Sequence, residues 1–465
     1  MSHATLHDLI VATGGRPSAE VDVRQAVGRV RTDSRQAGPG DCFWALRGSS
    51  LDGHDFAGDA IRRGASCCVV EDDRPAFDGH PRIVVRDSLR ALGEFARWRR
   101  QTRDAMVIGI TGSVGKTTTR AMLHAVLSAR FQGIQSPANY NNHVGVPLSL
   151  LEIGPHDEFA VIEMGASGTG EISGLADIAR PEAAIVTAVA PAHLGRFGSI
   201  EAIEQAKGEL VEALPAHGFA VLNGDDERVQ AMSRRAACRS ILVGLGAGNA
   251  FRPSSITPGN DTIAFVVDGK PFQIHAAGRH HVQAALACLA VAREIGLSDA
   301  EIATGLEQFT PVAGRCRRLD LGQWTILDDT YNSSPRAAVA ACETLRDWRT
   351  TGRKWAVLGD MLELGDQSPA FHEQLGVNAG QCGFDGIIAL GEFAGDVIRG
   401  AKAQSSAGQH AACRDLATAT LLLDCWLAPG DVVLIKGSRG MRMERVIEEL
   451  KLRVTPTNLP QTRVA

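Results

Sequence analysis

Gly112-Ser113-Val114-Gly115-Lys116-Thr117-Thr118 combines the residue types that a phosphate site requires, in a workable order. Gly112 and Gly115 let the backbone close around phosphate oxygens, with the amides of Ser113 and Thr118 beside them. Lys116 can reach the terminal phosphates, and Thr117 can offer its hydroxyl to Mg²⁺. The apolar, β-branched run Met106–Thr111 before the loop reads as a buried strand. After it, an apolar-periodic helix is expected from Lys116 to about Phe131. Strand, glycine turn and helix in that order place the peptide dipoles of a helix N-terminus where an anion would sit. The spacing departs from the common eight-residue form, which would have glycine at Ile110. The order of elements still identifies a nucleoside-triphosphate site.

Three more residues bear chemistry. Glu163 ends the apolar run Phe159–Ile162, and His193 follows shortly after Ala184-Ile185-Val186-Thr187. Strands alternating with helical segments imply a parallel sheet, whose ligands gather beyond the carboxyl ends of the strands. A glutamate in that place could cap a helix or join an ion pair; sharing the sheet edge with the phosphate loop favours a Mg²⁺ ligand. Lys207 lies on the apolar stripe Ile200, Ile203, Leu210, Leu214 of a helix that Ser199 would cap. A lysine there either snorkels to water or is paired, neutral or modified, because burying a lone ammonium is costly.

The elements around these residues suggest about three domains for 465 residues. The reading is an α/β protein with units 1–104, 105–313 and 314–465. Hydrophobic content of 44% and charged content of 22% fit a globular protein, and a net charge of −5 offers no general attraction to nucleic acid or anionic membranes. No apolar run approaches a membrane span, and residues 1–8 hold no basic stretch followed by an apolar one, so a cytoplasmic protein is expected. Ten scattered cysteines without a Cys-x-x-Cys pair read as reduced, mostly buried thiols.

The first unit carries a strand at Cys42–Leu46 and two polar clusters, Thr32-Asp33-Ser34-Arg35 and Arg47-Gly48-Ser49-Ser50, each of which alone could be solvated loop. The third unit has strands at Trp324–Leu327, Trp355–Leu358, Gly386–Leu390 and Asp431–Ile435, a Rossmann-like doubly wound pattern without a Gly-x-Gly-x-x-Gly. Polar stretches follow those strands: Asp328-Asp329-Thr330-Tyr331-Asn332, Gly359-Asp360-Met361-Leu362-Glu363-Leu364-Gly365 and Lys436-Gly437-Ser438-Arg439. The tail Val454–Ala465 is polar with two prolines and reads as a frayed end.

Over nearly its whole length the chain resembles the Mur ligases, ATP-dependent amide-forming enzymes of peptidoglycan synthesis. The matching segments are Gly109–Thr118, Asn139–Pro147, Glu163-Met164-Gly165-Ala166, Gly170-Glu171-Ile172, His193 with Phe197-Gly198-Ser199, and Ala206-Lys207-Gly208-Glu209. The motifs of the third unit resemble those of the family member that adds D-alanyl-D-alanine to UDP-N-acetylmuramoyl-tripeptide, and no Asp-Asn-Pro-Arg of the preceding ligase is present. The resemblance implies a small N-terminal UDP-sugar-binding domain, a central phosphate-loop ATPase domain and a C-terminal ligase domain. It implies that Lys116 and the loop hold ATP, with Thr117 and Glu163 on one Mg²⁺. His193 and Lys207 would serve a second metal, the lysine as a carbamate formed with CO₂. Arg315 would face the γ-phosphate and Asp329 hold the ribose. Asn139, Asn142 and Ser438 would line the substrate cleft, with Tyr331 and Asn332 in the same polar clusters. Ser34, Arg35, Arg47 and Gly48 would belong to the UDP-sugar-binding elements. A monomer is expected.

Departures from the family pattern fall at Ala188, at His143, and in Gly278-Arg279-His280-His281-Val282-Gln283-Ala284, where two asparagines are expected after Gly-Arg-His. His281 has the flat face and ring nitrogens to replace a lost adenine contact; equally, it could only decorate a helix start. Two rival readings stand beside the ligase. A folylpolyglutamate synthase-like enzyme would share the ATP chemistry with another acceptor, which the N-terminal unit argues against. A nucleotide switch would need neither a second metal nor a carbamate, so Glu163, His193 and Lys207 argue for catalysis.

Overall fold

The computed structural model describes residues 4–454 except 75, 76, 78 and 406. All of the tail read as frayed, beyond Val454 itself, lies outside these residues. The N-terminal sheet is built from β1 (Arg16–Pro17), β2 (Val30–Arg31), β3 (Cys42–Trp44), β4 (Cys67–Val70) and β5 (Arg82–Val84), in the order β1-β5-β4-β3-β2. Only β1 runs antiparallel to its neighbour. The third of these is shorter than expected: Ala45 N still donates to Val69 O at 3.0 Å, but the chain then folds back on itself at Arg47–Asp52, and the Gly53 amide donates to Leu46 O at 2.8 Å.

The central sheet comprises β6 (Met106–Thr111), β7 (Gly133–Gln135), β8 (Phe159–Glu163), β9 (Ala183–Val186), β10 (Phe219–Asn223) and β11 (Arg239–Val243). Its order is β11-β10-β9-β6-β8-β7, parallel throughout. Alternate residues build two cores. Ile108, Ile110, Val161, Ile185 and Val221 face the helices Lys116–Leu127 and His280–Glu294. Val107, Ala160, Ile162, Ala184 and Leu222 face Gly145–Leu151, Glu171–Ala179 and Ile200–Glu212. Burial on both faces explains why these strands read as continuous apolar runs. Each fully buried aliphatic side chain contributes about 1.5–3 kcal/mol, enough in sum to hold the loops at the strand ends. The helix after the phosphate loop ends at Leu127, short of Phe131: beyond it the amides of Ala129 and Arg130 donate to carbonyls three residues back, Val126 O at 3.3 Å and Leu127 O at 3.1 Å.

A small antiparallel sheet, β12 (Ser255–Pro258), β13 (Ile263–Val267) and β14 (Lys270–Ile274), follows, and sequence reading did not anticipate it. Ile263, Phe265 and Val267 point inward while Ala264 is exposed. Its first turn rests on the C-terminal unit: Asn260 Nδ2 donates to Arg349 O at 2.7 Å, and Arg349 N donates back to Asn260 Oδ1 at 2.8 Å.

The last sheet consists of β15 (Arg317–Leu321), β16 (Trp324–Asp329), β17 (Lys354–Gly359), β18 (Gly386–Leu390), β19 (Gln409–Cys413) and β20 (Val432–Lys436). The order is β15-β16-β20-β17-β18-β19, with only β15 antiparallel. Asp328, Asp329 and Lys436 belong to the strands themselves rather than to the loops after them, and Asp329 is the register partner of Lys436. The N-terminal unit joins the central one through the helix Ser88–Gln101, whose Arg100 donates from Nε to Ala179 O at 3.0 Å and pairs with Glu182. Among the described residues no helix is long and apolar enough to cross a membrane.

Candidate active site

The phosphate loop leaves β6 and turns back at the N-terminus of Lys116–Leu127. Gly112 has φ of 142° and Gly115 of 88°. A Cβ at Gly112 would lie 2.0 Å from Thr187 Oγ1, so only glycine fits there. Gly115 stands at the N-cap without a side-chain cap, which leaves the first amides of the helix open to an anion. Thr187 braces the loop by donating to Val114 O at 2.5 Å, and Ser113 Oγ accepts from Ala190 N at 3.0 Å. Lys116 reaches back so that Nζ donates to Gly112 O at 2.7 Å. Burial holds the Lys116 ammonium below its usual pKa; Glu163 opposes the shift and Arg315 adds to it.

Glu163 is 2% exposed and fully occupied. Thr117 donates to its Oε2 at 3.0 Å, Asn141 Nδ2 to its Oε1 at 2.9 Å, and Arg120 Nη1 lies 3.5 Å from Oε2. Thr117 and Glu163 therefore meet as expected. Asn141, not the neighbouring asparagines, serves this carboxylate. Asn139 is exposed, and Asn142 Oδ1 accepts from Gly145 N at 2.9 Å, tying down the start of a helix. Arg120 follows Lys116 by one helical turn and was missed; its spacing on the same helix face was the available signal.

Lys207 is 3% exposed, and among the described residues it forms no ion pair; its Nζ lies 5.5 Å from the centre of the Phe197 ring. Burial, with the like charge of Lys116 second, lowers its pKa to about 7. His193 is not hydrogen-bonded to Lys207. Its Nδ1 contacts the Glu363 carboxylate of the C-terminal unit. Among the described residues no group of three or more His, Cys, Asp or Glu is placed to hold a metal ion.

Across from the loop stand the C-terminal residues. The Arg315 guanidinium lies 4.1 Å from the centre of the Tyr331 ring, with Arg439 at 5.7 Å from the same ring. Arg315 Nε is buried without a hydrogen-bond partner. Leaving such a donor unmet costs roughly 1–3 kcal/mol, and an anionic oxygen would remove that cost. Asp329 is already engaged: Lys436 Nζ donates to Oδ2 at 2.6 Å, and Cys316 N donates to Oδ1 at 3.1 Å. Lys436 also donates to Asn332 O at 2.9 Å, while Asn332 Oδ1 accepts from Ser333 N at 2.8 Å. Ser438 acts as a strut, with Oγ accepting from Leu362 N at 2.8 Å.

Between these two sets of residues lies a cavity of about 710 Å³. Gly115 and Thr118 border it on the central side, Arg315, Asp329 and Lys436 on the other, and His281 and Ala284 both line it. His281 is 1% exposed; its Nδ1 lies 3.3 Å from Gly278 O, and burial lowers its pKa. A neutral ring facing a cavity can lie against a flat apolar base, and Asn223 and Gln283 nearby supply amide groups.

The N-terminal clusters lie at the carboxyl ends of two adjacent parallel strands, β2 and β3, away from the cavity. Ser34 is buried, and the exposed Arg35 pairs with Asp33 at 2.7 Å. Arg47 pairs with Glu71 at 2.9 Å and Asp72 at 2.5 Å, while Gly48 N donates to Leu51 O at 2.8 Å.

Comparison with known proteins adds an independent line. Three family models match successive parts of the chain: "Mur ligase family, catalytic domain" at 27–100, "Mur ligase middle domain" at 110–292 and "Mur ligase, glutamate ligase domain" at 314–439. A UDP-N-acetylmuramoyl-tripeptide--D-alanyl-D-alanine ligase of Synechocystis sp. is 36% identical over 94% of this chain and 94% of its own. The crystal structure of MurF from Acinetobacter baumannii superposes with a TM-score of 0.88 at 31% identity, covering 97% of this chain and 99% of that one. MurF ligase from Thermotoga maritima in complex with ADP superposes with a TM-score of 0.79 at 30% identity, covering 92% and 97%. With relatives above 30% identity along almost its entire length, the chain belongs to the Mur ligase family.

Proposed function

We propose that the chain is an ATP-dependent ligase joining D-alanyl-D-alanine to UDP-N-acetylmuramoyl-tripeptide through an acyl phosphate, in peptidoglycan precursor synthesis. The observation that carries this reading is the cavity, bordered by the phosphate loop on one wall and by Arg315, Asp329 and Lys436 on the other. The three domains divide at 104/105 and 313/314. The chain is proposed to act as a monomer.

The residues suit ATP. The glycine cradle that a Cβ would fill, the open amides at Gly115, Lys116 and the unmet Arg315 Nε all call for phosphate oxygens. Thr117 and Glu163 offer one hydroxyl and one carboxylate, a donor set that suits Mg²⁺ together with phosphate and water oxygens. A divalent cation there would neutralise phosphate charge. The terminal carboxylate of the tripeptide attacks the γ-phosphorus, giving an acyl phosphate and ADP. The free amine of the dipeptide then attacks the acyl carbon, and phosphate leaves from the tetrahedral intermediate. The first step brings two anions together and the second develops an oxyanion on the tetrahedral carbon, so Lys116 and Arg315 stabilise charge where it develops. His281 lies against the base, in place of the expected asparagine.

Lys207 acts as a carbamate: its neutral amine adds to CO₂ and releases a proton, turning an uncharged buried group into an anion. Support comes from its burial without an ion-pair partner and a pKa lowered to about 7. His193 and that carbamate serve the second metal. Ser34, Arg35, Arg47 and Gly48 hold the UDP-sugar, and Asn139, Asn142, Tyr331, Asn332 and Ser438 shape the peptide cleft.

Phosphate release, measured with each substrate omitted in turn, tests the assignment. Release is expected only with both UDP-N-acetylmuramoyl-tripeptide and D-alanyl-D-alanine present. Equal turnover with a single D-amino acid, or release without either substrate, would overturn it.

A further inference from the structure

Gln283 stands in the first turn of the helix His280–Glu294, half-buried, and lines the cavity. Its Nε2 is engaged twice, donating to Asn223 Oδ1 at 2.8 Å and to Val243 O at 3.1 Å. Asn223 and Val243 end the adjacent parallel strands β10 and β11, so the side chain is pinned to the sheet edge. The network fixes which way both amides point. Asn223 Nδ2 donates to Thr187 O at 2.8 Å, which leaves its Oδ1 to accept, as it also does from Asp225 N at 3.0 Å. Both hydrogens of Gln283 Nε2 are then used, and among the described residues no hydrogen bond reaches its Oε1. The other carboxylate on this wall is occupied: Asp225 accepts from Leu245 N at 2.6 Å, Gly246 N at 2.9 Å and Asn249 Nδ2 at 2.8 Å. Ala188 and Ala284 also line the cavity, and their methyl side chains can make no hydrogen bond.

We propose that Gln283 selects the base: its Oε1 accepts from the exocyclic amino group of adenine and rejects purines that carry an oxygen there. The inference rests on the reading of the cavity as the nucleotide site. A carboxamide holds two donor hydrogens and one acceptor oxygen, so once both hydrogens are engaged it can only accept. Guanine and hypoxanthine would place a carbonyl oxygen against that acceptor, lone pair facing lone pair. A repelling polar contact of this kind separates ligands of nearly the same shape. The anchoring is what makes the choice. A glutamine free to rotate would turn its amino group toward a carbonyl and take either base. Held by Asn223 and Val243, it cannot turn without breaking two hydrogen bonds. His281 offers a flat face and no means of reading the edge of the base; Gln283 supplies the reading.

The test is calorimetric titration of the full-length protein with three nucleotides in the presence of Mg²⁺. They are ADP, purine riboside 5′-diphosphate, which lacks the exocyclic amino group, and inosine 5′-diphosphate, which carries an oxygen in its place. Wild type should bind the purine riboside nucleotide roughly 10-fold and the inosine nucleotide roughly 30-fold more weakly than ADP. Gln283→Met, close in volume, should lose roughly 10-fold for ADP and keep its affinity for the purine riboside nucleotide, abolishing the difference between the two. Equal binding of all three nucleotides by the wild type would overturn the assignment without recourse to any variant. So would a Gln283→Met protein that loses affinity for all three in the same proportion, the mark of a side chain that only braces the strand ends. If ADP itself does not bind the wild type, the nucleotide reading of the cavity falls, and the role of Gln283 with it.

Discussion

Lys207→Met, compared with the wild type across pH, probes the buried lysine on which the carbamate reading depends. The lysine pKa falls from its ordinary 10.5 to about 7 because the side chain is buried. At pH 8 about 90% of the amine is then neutral, against about 0.3% for a solvated lysine, a gain of ~300-fold in the form that attacks CO₂. The same shift opposes folding. Below pH 7 both states carry the proton, and the folded chain bears a buried ammonium at a cost of up to about 5 kcal/mol. As pH rises from 7 to 10.5 the folded state has already released its proton, so the cost shrinks and vanishes once the unfolded chain has lost its own. Methionine keeps the volume and removes the charge. In CO₂-free buffer Lys207→Met should therefore melt higher than the wild type at pH 6.5, by several degrees for the central domain. The two curves should converge by pH 10, and bicarbonate at pH 8 should narrow the gap. Calorimetry of the full-length chain at four pH values reads this directly. A melting difference of zero, of opposite sign, or independent of pH would refute the reasoning.

Two further outcomes follow from the cavity walls. His281→Ala should raise the KM for ATP several-fold and leave that for D-alanyl-D-alanine unchanged, in steady-state assays; an unaltered KM for ATP would leave the ring a purely structural part of the helix start. Lys436→Met strands the buried Asp329 carboxylate and should destabilise the chain by about 3–5 kcal/mol in urea unfolding, whereas the double change Lys436→Met with Asp329→Leu should recover most of the loss.

Much of this site is legible in the sequence, and the limits have physical causes. The phosphate loop was legible because strand, glycines and helix are contiguous and each obeys a local rule. Glu163 was legible because a carboxylate ending an apolar strand must sit at the sheet edge. Asn141 was not: three asparagines stand within four positions, and the turn that starts with Ala138 at φ 42° decides which one faces Glu163. The Asp329–Lys436 pair joins residues 107 positions apart, brought together only by the register of β16 on β20. Glu363 falls in a polar stretch, but nothing along the chain says that it crosses to His193. The hairpin sheet from Ser255 to Ile274 was overlooked because its alternation is short and interrupted by proline and glycine.

The placement of the cavity between two fold units has a consequence for the polypeptide as a whole. All strands of the central sheet precede residue 244 and all strands of the last sheet follow residue 316, so the backbone passes between the two walls only once, after the helix Asp299–Gln308. A nucleotide lodged between them is mortar as well as fuel, and part of its binding free energy goes into holding the walls together. The single short tether keeps each wall at an effective concentration of about millimolar with respect to the other. Were the peptide severed there, the same joint would depend on two fragments meeting by diffusion, and nucleotide affinity would fall with dilution. One gene encoding both walls makes that affinity independent of how many copies a cell contains.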